Sequence, residues 1–245
     1  NLIVRNEENR LPAALDSIDG IAEEIVICDT GSTDKTLEVA RQYGVRIVHS
    51  EWCDDFSTPR NRAIEASTGR SILWMDADDR LTAESIPALR ELLNSNKRYA
   101  IAFSIENPTE YDSPVTFQQV RMFPRDPRLR FQNRVHEQIM YSAQKAGIPF
   151  ARCSRVRFVH TGYQAAGELH RKLKRNLGLI AGELFIHPGC NSLRTALADT
   201  WMGLREYPKA IEAYKMLIED GELFEKNPDI YVQANLNIAF SALQL

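Results

Sequence analysis

The sequence predicts an α/β domain, with a mixed and mainly parallel sheet flanked by helices, followed by an all-helical tail. Three observations carry this prediction. Short apolar runs alternate with helical-period segments through roughly the first hundred residues. Polar clusters sit at the carboxyl end of those runs, and about the last 75 residues carry helical spacing alone.

Leu2-Ile3-Val4 reads as the first strand, and Leu11, Ala14, Leu15 and Ile18 then recur at helical spacing. Glu24 to Cys28 is a second apolar run, ending at Asp29. Gly31-Ser32-Thr33-Asp34, rich in turn and cap residues, opens a helix carrying Leu37, Val39, Ala40 and Tyr43. Gly44 ends it, and Val45 to Val48 forms a third strand. After an acidic loop from Glu51 to Phe56, Ser57-Thr58-Pro59 supplies a cap and an early-turn proline for a helix through Ser67. Gly69 stops that helix, and Ser71 to Met75 is the fourth strand. Ligands of such sheets bind beyond the carboxyl ends of the strands. Arg5-Asn6-Glu7, Asp29 to Ser32 and Asp76-Ala77-Asp78-Asp79 are therefore expected to converge on one cleft.

The middle of the chain predicts strands over Tyr99–Ile105 and Val115–Phe123, then an arginine-rich stretch (Arg121, Arg125, Arg128, Arg130, Arg134) leading to Val135-His136-Glu137. The stretch is a candidate for contact with phosphates of donor or acceptor, although most of those arginines read as surface charge. A helix to about Ala146, a strand over Val156–Val159 and His160-Thr161-Gly162-Tyr163 follow. In the tail, Leu197, Ala198, Trp201, Tyr207, Ala210 and Tyr214 have the spacing of a helix-turn-helix repeat, with Leu236, Ile238, Phe240 and Leu243 opening another. The pattern resembles tetratricopeptide repeats, although Arg205 stands where a turn glycine is usual. The predicted division is residues 1–165 and 166–245. Asn1 falls inside a strand, and repeats need neighbours to cover their faces, so the natural chain is expected to extend past both ends.

The 245 residues are 44% hydrophobic and 26% charged with a formal net charge of −3, a balance that argues against nucleic acid as the main partner. No apolar run reaches the ~18 residues of a transmembrane segment, and no leader pattern opens the chain. Cys28, Cys53, Cys153 and Cys190 are far apart and form no CxxC pair. A reducing, cytoplasmic setting is expected.

Asp76-Ala77-Asp78 is the central chemical signal. The clustered oxygens of a nucleoside diphosphate are usually neutralised by a hard divalent cation, and Mg²⁺ or Mn²⁺ takes carboxylate ligands while leaving sites for phosphate. Two carboxylates just past a strand end can divide that work, one meeting the ribose or a metal-bound water and the other binding the metal directly, with Asp79 read only as their neighbour. Asp29 closes an apolar strand and is assigned to the base of the nucleotide, whereas Ser32, Thr33 and Asp34 are explained as a helix cap. Arg60 is placed to meet base or diphosphate. Attack by an acceptor hydroxyl needs a proton acceptor, for which Glu137 is placed ahead of His136. His160 is a candidate further metal ligand.

Val4-Arg5-Asn6-Glu7-Glu8, Asp29 to Asp34, Asp54-Asp55-Phe56-Ser57 with Arg60-Asn61, and Trp74-Met75-Asp76-Ala77-Asp78 together resemble family 2 glycosyltransferases of the GT-A fold. Arg134-Val135-His136-Glu137 and His160-Thr161-Gly162-Tyr163, followed by helical repeats, resemble a bacterial subgroup with tetratricopeptide tails. The resemblance implies an inverting transfer from a nucleotide-diphosphate sugar, commonly a UDP-sugar, to a peptide, protein or glycolipid. It also implies donor-pocket roles for Ile3, Arg5, Glu7, Asp29, Arg60, Asp76 and Ala77, with Asp78 on the metal and Asp76 on the ribose or the metal. Ile3 and Arg5 stand where many members carry proline and an aromatic residue, so an arginine contact replaces stacking on the base. The competing reading is a degenerate transferase acting as a scaffold, whose repeats bind a protein partner or self-associate. A nucleotidyltransferase would carry a glycine-rich basic loop after the first strand, and Asn6-Glu7-Glu8 is nothing like one.

Overall fold

The computed structural model describes residues 1–95, 97–108, 115–161, 166–219 and 223–245, so Gly162 and Tyr163 lie outside the described residues. The chain divides into two compact units, Asn1–Gln132 with Glu137–Gln164, and Asn133–His136 with Ala165–Leu245.

In the first unit, β1 (Leu2–Val4), β2 (Val26–Asp29) and β3 (Arg46–His49) form a parallel sheet. They alternate with α1 (Leu11–Asp16), α2 (Thr36–Gln42) and α3 (Ser57–Ala66), as the apolar periodicity predicts. Carboxylates in the loops start two of these helices. Asp34 Oδ1 accepts from the Thr36 amide at 2.9 Å, and Asp55 Oδ1 accepts from the Ser57 amide at 2.7 Å. The Asn1 nitrogen donates to the Leu73 carbonyl and the Met75 amide donates to the Asn1 carbonyl, which sets the stretch after β4 (Ser71–Leu73) beside β1 in parallel sense.

β4 then opens a second sheet, in the order β4, β7 (Val115–Pro124), β6 (Ala100–Asn107), β8 (Phe150–His160), β5 (Asp79–Leu81). This sheet is the mixed part of the predicted architecture. Three of the four pairings are antiparallel, and only β6 with β8 is parallel. The connection between β6 and β7 is too short for a helical crossover, and strands joined that closely must pair as a hairpin. β8 is also longer than the predicted Val156–Val159, and β5 was not predicted.

The sheets bury one large cluster that includes Leu2, Leu11, Leu15, Ile27, Met75, Phe103 and Phe158, together with Leu89 of α4 (Ile86–Asn94). A second cluster gathers Ile72, Trp74, Phe123, Phe131 and Ala143 of α5 (Met140–Lys145). Each fully buried leucine or phenylalanine adds about 1.5–3 kcal/mol.

The turn after β7 is closed by Asp126, which is 6% exposed and accepts from the Arg128 amide (3.0 Å), from Arg128 Nε (2.9 Å) and from Arg98 Nη2 (3.0 Å). Hydrogen bonding to Arg128 holds this carboxyl well below the usual carboxylate range, outweighing its burial. A depressed carboxyl adds stability above its unfolded-state pKa of about 4, and that stability is lost as the pH falls below it. Asp126→Asn should therefore be less stable than the parent at neutral pH, with the gap shrinking as the pH is lowered toward 3. Urea midpoints across pH check this, and a gap that does not change with pH would exclude the ionised carboxylate as its origin.

The second unit is helical: α6 (Ala166–Ile186), α7 (Asn191–Gly203), α8 (Tyr207–Ile218), α9 (Leu223–Lys226) and α10 (Pro228–Ala242). Ala198, Ala210, Tyr214, Leu217, Leu223 and Ala234 form its core. The Tyr214 hydroxyl donates to Asp199 and accepts from Asn237 Nδ2 at 2.8 Å, tying α7, α8 and α10 together. A Cβ at Gly203 would lie 2.9 Å from Leu173 Cδ1, so a larger residue there would require the end of the Leu173 side chain to shift. Arg205 has φ +61°, so it takes the left-handed conformation for which glycine is usual at that turn. Among the described residues no helix is long and apolar enough to cross a membrane, and the four cysteines are unbridged.

Candidate active site

The acidic segment is a tight turn between β4 and β5. Asp79 Oδ2 accepts from the Asp76 amide at 2.8 Å, and the Asp79 amide donates back to the Asp76 carbonyl at 3.1 Å. Arg80 clamps the turn from below, donating from Nη1 to the Ala77 carbonyl (2.9 Å) and from Nη2 to the Arg10 carbonyl (2.8 Å). The Thr161 amide and hydroxyl both donate to the Asp78 carbonyl. The backbone of this turn is thus held by β5, β8 and the start of α1.

Pairing of β5 with β8 sets Asp79 opposite His160. His160 Nδ1 lies 2.8 Å from Asp79 Oδ1 and 3.5 Å from Asp78 Oδ1. One donor atom from each of Asp76, Asp78, Asp79 and His160 falls within 4.8 Å of the others. Three carboxylates and an imidazole suit a hard or borderline divalent cation such as Mg²⁺ or Mn²⁺. Burial works against a charged His160, but the hydrogen bond to Asp79 and the nearby Asp78 outweigh it and raise the imidazole pKa.

Two buried arginines balance this charge. Arg60 of α3 bridges Asp76 Oδ1 (Nη2, 2.8 Å) and Glu137 Oε1 (Nε, 2.6 Å), with its guanidinium 4.1 Å from the Trp74 ring centroid. Arg121 of β7 lies 2.8 Å from Asp79 Oδ2 and 3.6 Å from Asp76 Oδ2. Burial would raise the Asp76 pKa, but Arg60 and then Arg121 reverse it and hold the carboxyl well below the usual range. Next to Arg60, Asn61 exchanges two hydrogen bonds with the Phe131 backbone (3.0 and 2.8 Å). A two-bond bridge between Gln132 and Gln138 then pinches off the loop that carries Glu137.

The other expected residues lie outside this cluster of contacts. Asp29 is buried at the end of β2, opposite Val4, and accepts from the Gly31 (3.2 Å) and Ser32 (3.1 Å) amides. His49 Nδ1 lies 3.5 Å from it. Asp29 therefore organises its own turn, as Asp34 does at the start of α2. Arg5 is exposed after β1, and Ile3 lines a narrow void of about 10 Å³ with Arg60 and Trp74. Glu7 pairs with Arg10 at 3.4 Å and its amide donates to Thr36 Oγ1 at 2.7 Å. Ala77 is buried, with its carbonyl taken by Arg80. His136 is exposed at φ +52° and belongs to the helical unit. There its charge acts on Asp199, whose pKa is raised by burial against the pull of Tyr214 and His136.

Two expectations are corrected. Asp79, read as a neighbour, is fully buried and joins Asp76, Arg121 and His160. Arg121, grouped with surface charge, is 2% exposed, while Arg128, Arg130 and Arg134 pair with Asp126, Glu65 and Glu183. Its one signal in the sequence was its place inside the apolar run Val120-Arg121-Met122-Phe123.

Residues 2–152 match the model of glycosyl transferase family 2. The chain belongs to that family. This family 2 chain is 38% identical over 137 residues to a TPR repeat-containing protein of Synechococcus elongatus, covering 56% of this chain and 34% of that protein. It is 28% identical over 192 residues to the prophage-derived glycosyltransferase SunS of Bacillus subtilis, covering 76% of this chain and 45% of SunS. The chain thus spans less than half the length of these curated relatives. Among solved structures, S. aureus TarS superposes with TM-score 0.57 at 14% identity, over 98% of this chain and 87% of that one. TarS has also been solved with UDP and with UDP-GlcNAc. The likeness establishes the GT-A fold.

Proposed function

We propose that this chain carries the catalytic domain of a metal-dependent, inverting glycosyltransferase. It moves a sugar from a nucleotide-diphosphate donor, a UDP-sugar, to a peptide, protein or glycolipid. The observation that carries the reading is the Asp76, Asp78, Asp79 and His160 cluster at the carboxyl end of β4, joined through Arg60 to Glu137. The UDP and UDP-GlcNAc complexes of the similarly folded TarS support the choice of nucleotide.

Asp78, Asp76 and His160 would hold Mn²⁺ or Mg²⁺, which when bound stabilises negative charge on a departing diphosphate. Asp76 also meets the ribose, Asp29 the base, and Arg60 the base or the diphosphate, with Ile3, Arg5, Glu7 and Ala77 lining the donor side. Glu137 takes the acceptor proton, with Arg60 orienting its carboxylate, and His136 is the runner-up for that role. A cytoplasmic setting is part of the reading and is supported by four unbridged thiols.

Calorimetry with UDP tests the centre of this proposal. Binding should strengthen severalfold with Mn²⁺, and Asp78→Ala should remove that gain. UDP binding that ignores both the metal and the substitution would sink it. The scaffold reading is favoured by one observation: Val232, Leu236 and Phe240 leave an apolar stripe of α10 exposed. Robust sugar transfer by the isolated chain would discard that reading as the sole function.

A further inference from the structure

Asp79 and Arg121 are the most deeply buried charges around the acidic turn, at 0% and 2% side-chain exposure. Removing two charges from water costs several kcal/mol each unless geometry compensates, and here the compensation is unusual. Arg121 Nη1 lies 2.8 Å from Asp79 Oδ2, yet neither its Nη1 nor its Nε has an aligned hydrogen-bond acceptor. The guanidinium is held by charge and by the Trp74 ring, whose centroid is 3.9 Å from its carbon. Trp74 is itself fixed by donation from Nε1 to the Val120 carbonyl at 2.7 Å.

This arrangement leaves Asp79 oxygens for two other tasks. Oδ2 accepts from the Asp76 amide at 2.8 Å, and Oδ1 meets His160 Nδ1 at 2.8 Å. A carboxylate that accepts from Nδ1–H selects one imidazole tautomer and leaves the lone pair on Nε2. Second-layer carboxylates orient metal-binding histidines in this way.

We propose that Arg121 and Asp79 are a positioning pair for the metal site. Arg121 holds the Asp79 carboxylate in place, Asp79 sets the His160 tautomer and pins the Asp76 backbone, and neither serves as a ligand. The proposed ligands remain Asp78, Asp76 and His160, with Asp79 behind the histidine. This rests on the metal reading above, but one of its tests does not depend on metal.

In the metal-free chain at alkaline pH, ¹⁵N spectra of labelled histidine should show His160 protonated on Nδ1, assigned by loss of the signal in His160→Gln. Asp79→Asn should shift that population toward Nε2–H. It should also weaken Mn²⁺ binding, measured by electron paramagnetic resonance with UDP present, by about 10–100-fold. UDP binding without metal should stay within about twofold, because no donor contact is removed. Arg121→Lys keeps the charge and so protects the fold, but loses the stack on Trp74; it should cost a smaller, severalfold part of Mn²⁺ affinity. The proposal is overturned if His160 keeps its tautomer in Asp79→Asn, or if Arg121→Lys binds Mn²⁺ like the parent. A parent chain that binds no Mn²⁺ with UDP would end the metal reading, and the tautomer comparison would still decide the Asp79–His160 pairing.

Discussion

Replacing Arg60 with methionine is expected to destabilise the fold by about 3–5 kcal/mol at neutral pH. The Arg60 side chain is 8% exposed and bridges Asp76 and Glu137 at 2.8 and 2.6 Å. Methionine fills similar volume beside Trp74, so little of the loss is a cavity. The dominant effect is two carboxylates facing one another with no cation between them. The sign with pH follows. Arg60 helps hold Asp76 below its ordinary range, so its contribution is full above the unfolded-state carboxylate pKa of about 4 and fades as the pH falls below it. The gap between Arg60→Met and the parent should therefore narrow in acid. Urea unfolding at several pH values measures it. Equal midpoints at neutral pH would mean that the bridge adds nothing to stability, and Arg60 would then be read through its ligand alone.

The second large effect is expected on turnover. Glu137→Gln keeps the shape of the side chain and an oxygen that accepts from Arg60 Nε, so the fold and the donor side should change little. What is lost is a carboxylate able to take a proton. Transfer from a UDP-sugar should fall by about 10²–10⁴-fold, the usual scale of a general base, while UDP affinity stays close to that of the parent. Near-normal turnover would pass the role to His136 or to solvent. A parallel loss of UDP binding would instead make Glu137 part of the donor pocket.

Much of this could be read from the chain alone, for a physical reason. β1 to β4 alternate with helices whose starts are written in local cap residues, and parallel strands of that kind place their loops at one end. The positions of Asp29, Arg60 and Asp76 to Asp78 follow from it. Arg121, Asp79 and β5 were harder. β5 is three residues long and exists because β8 supplies its partner from far along the chain, a pairing that no local period announces. Arg121 looked like one arginine among five, and its burial depends on Trp74 and Asp79, which arrive from other strands. His136 and Glu137 are adjacent in sequence, yet their contacts divide them between the two units.

The pairing of Asp79 with His160 also ties the candidate site to the order in which the chain folds. The two residues are 81 positions apart. Among the described residues β5 meets the sheet through β8, and that one pairing brings them together. Contacts of such separation are entropically the slowest to close. The carboxylates follow β4 directly in the chain, whereas the histidine ends β8, the last strand among the described residues. The cluster is therefore complete only once β8 has paired with β5, and until then the carboxylates are without their imidazole.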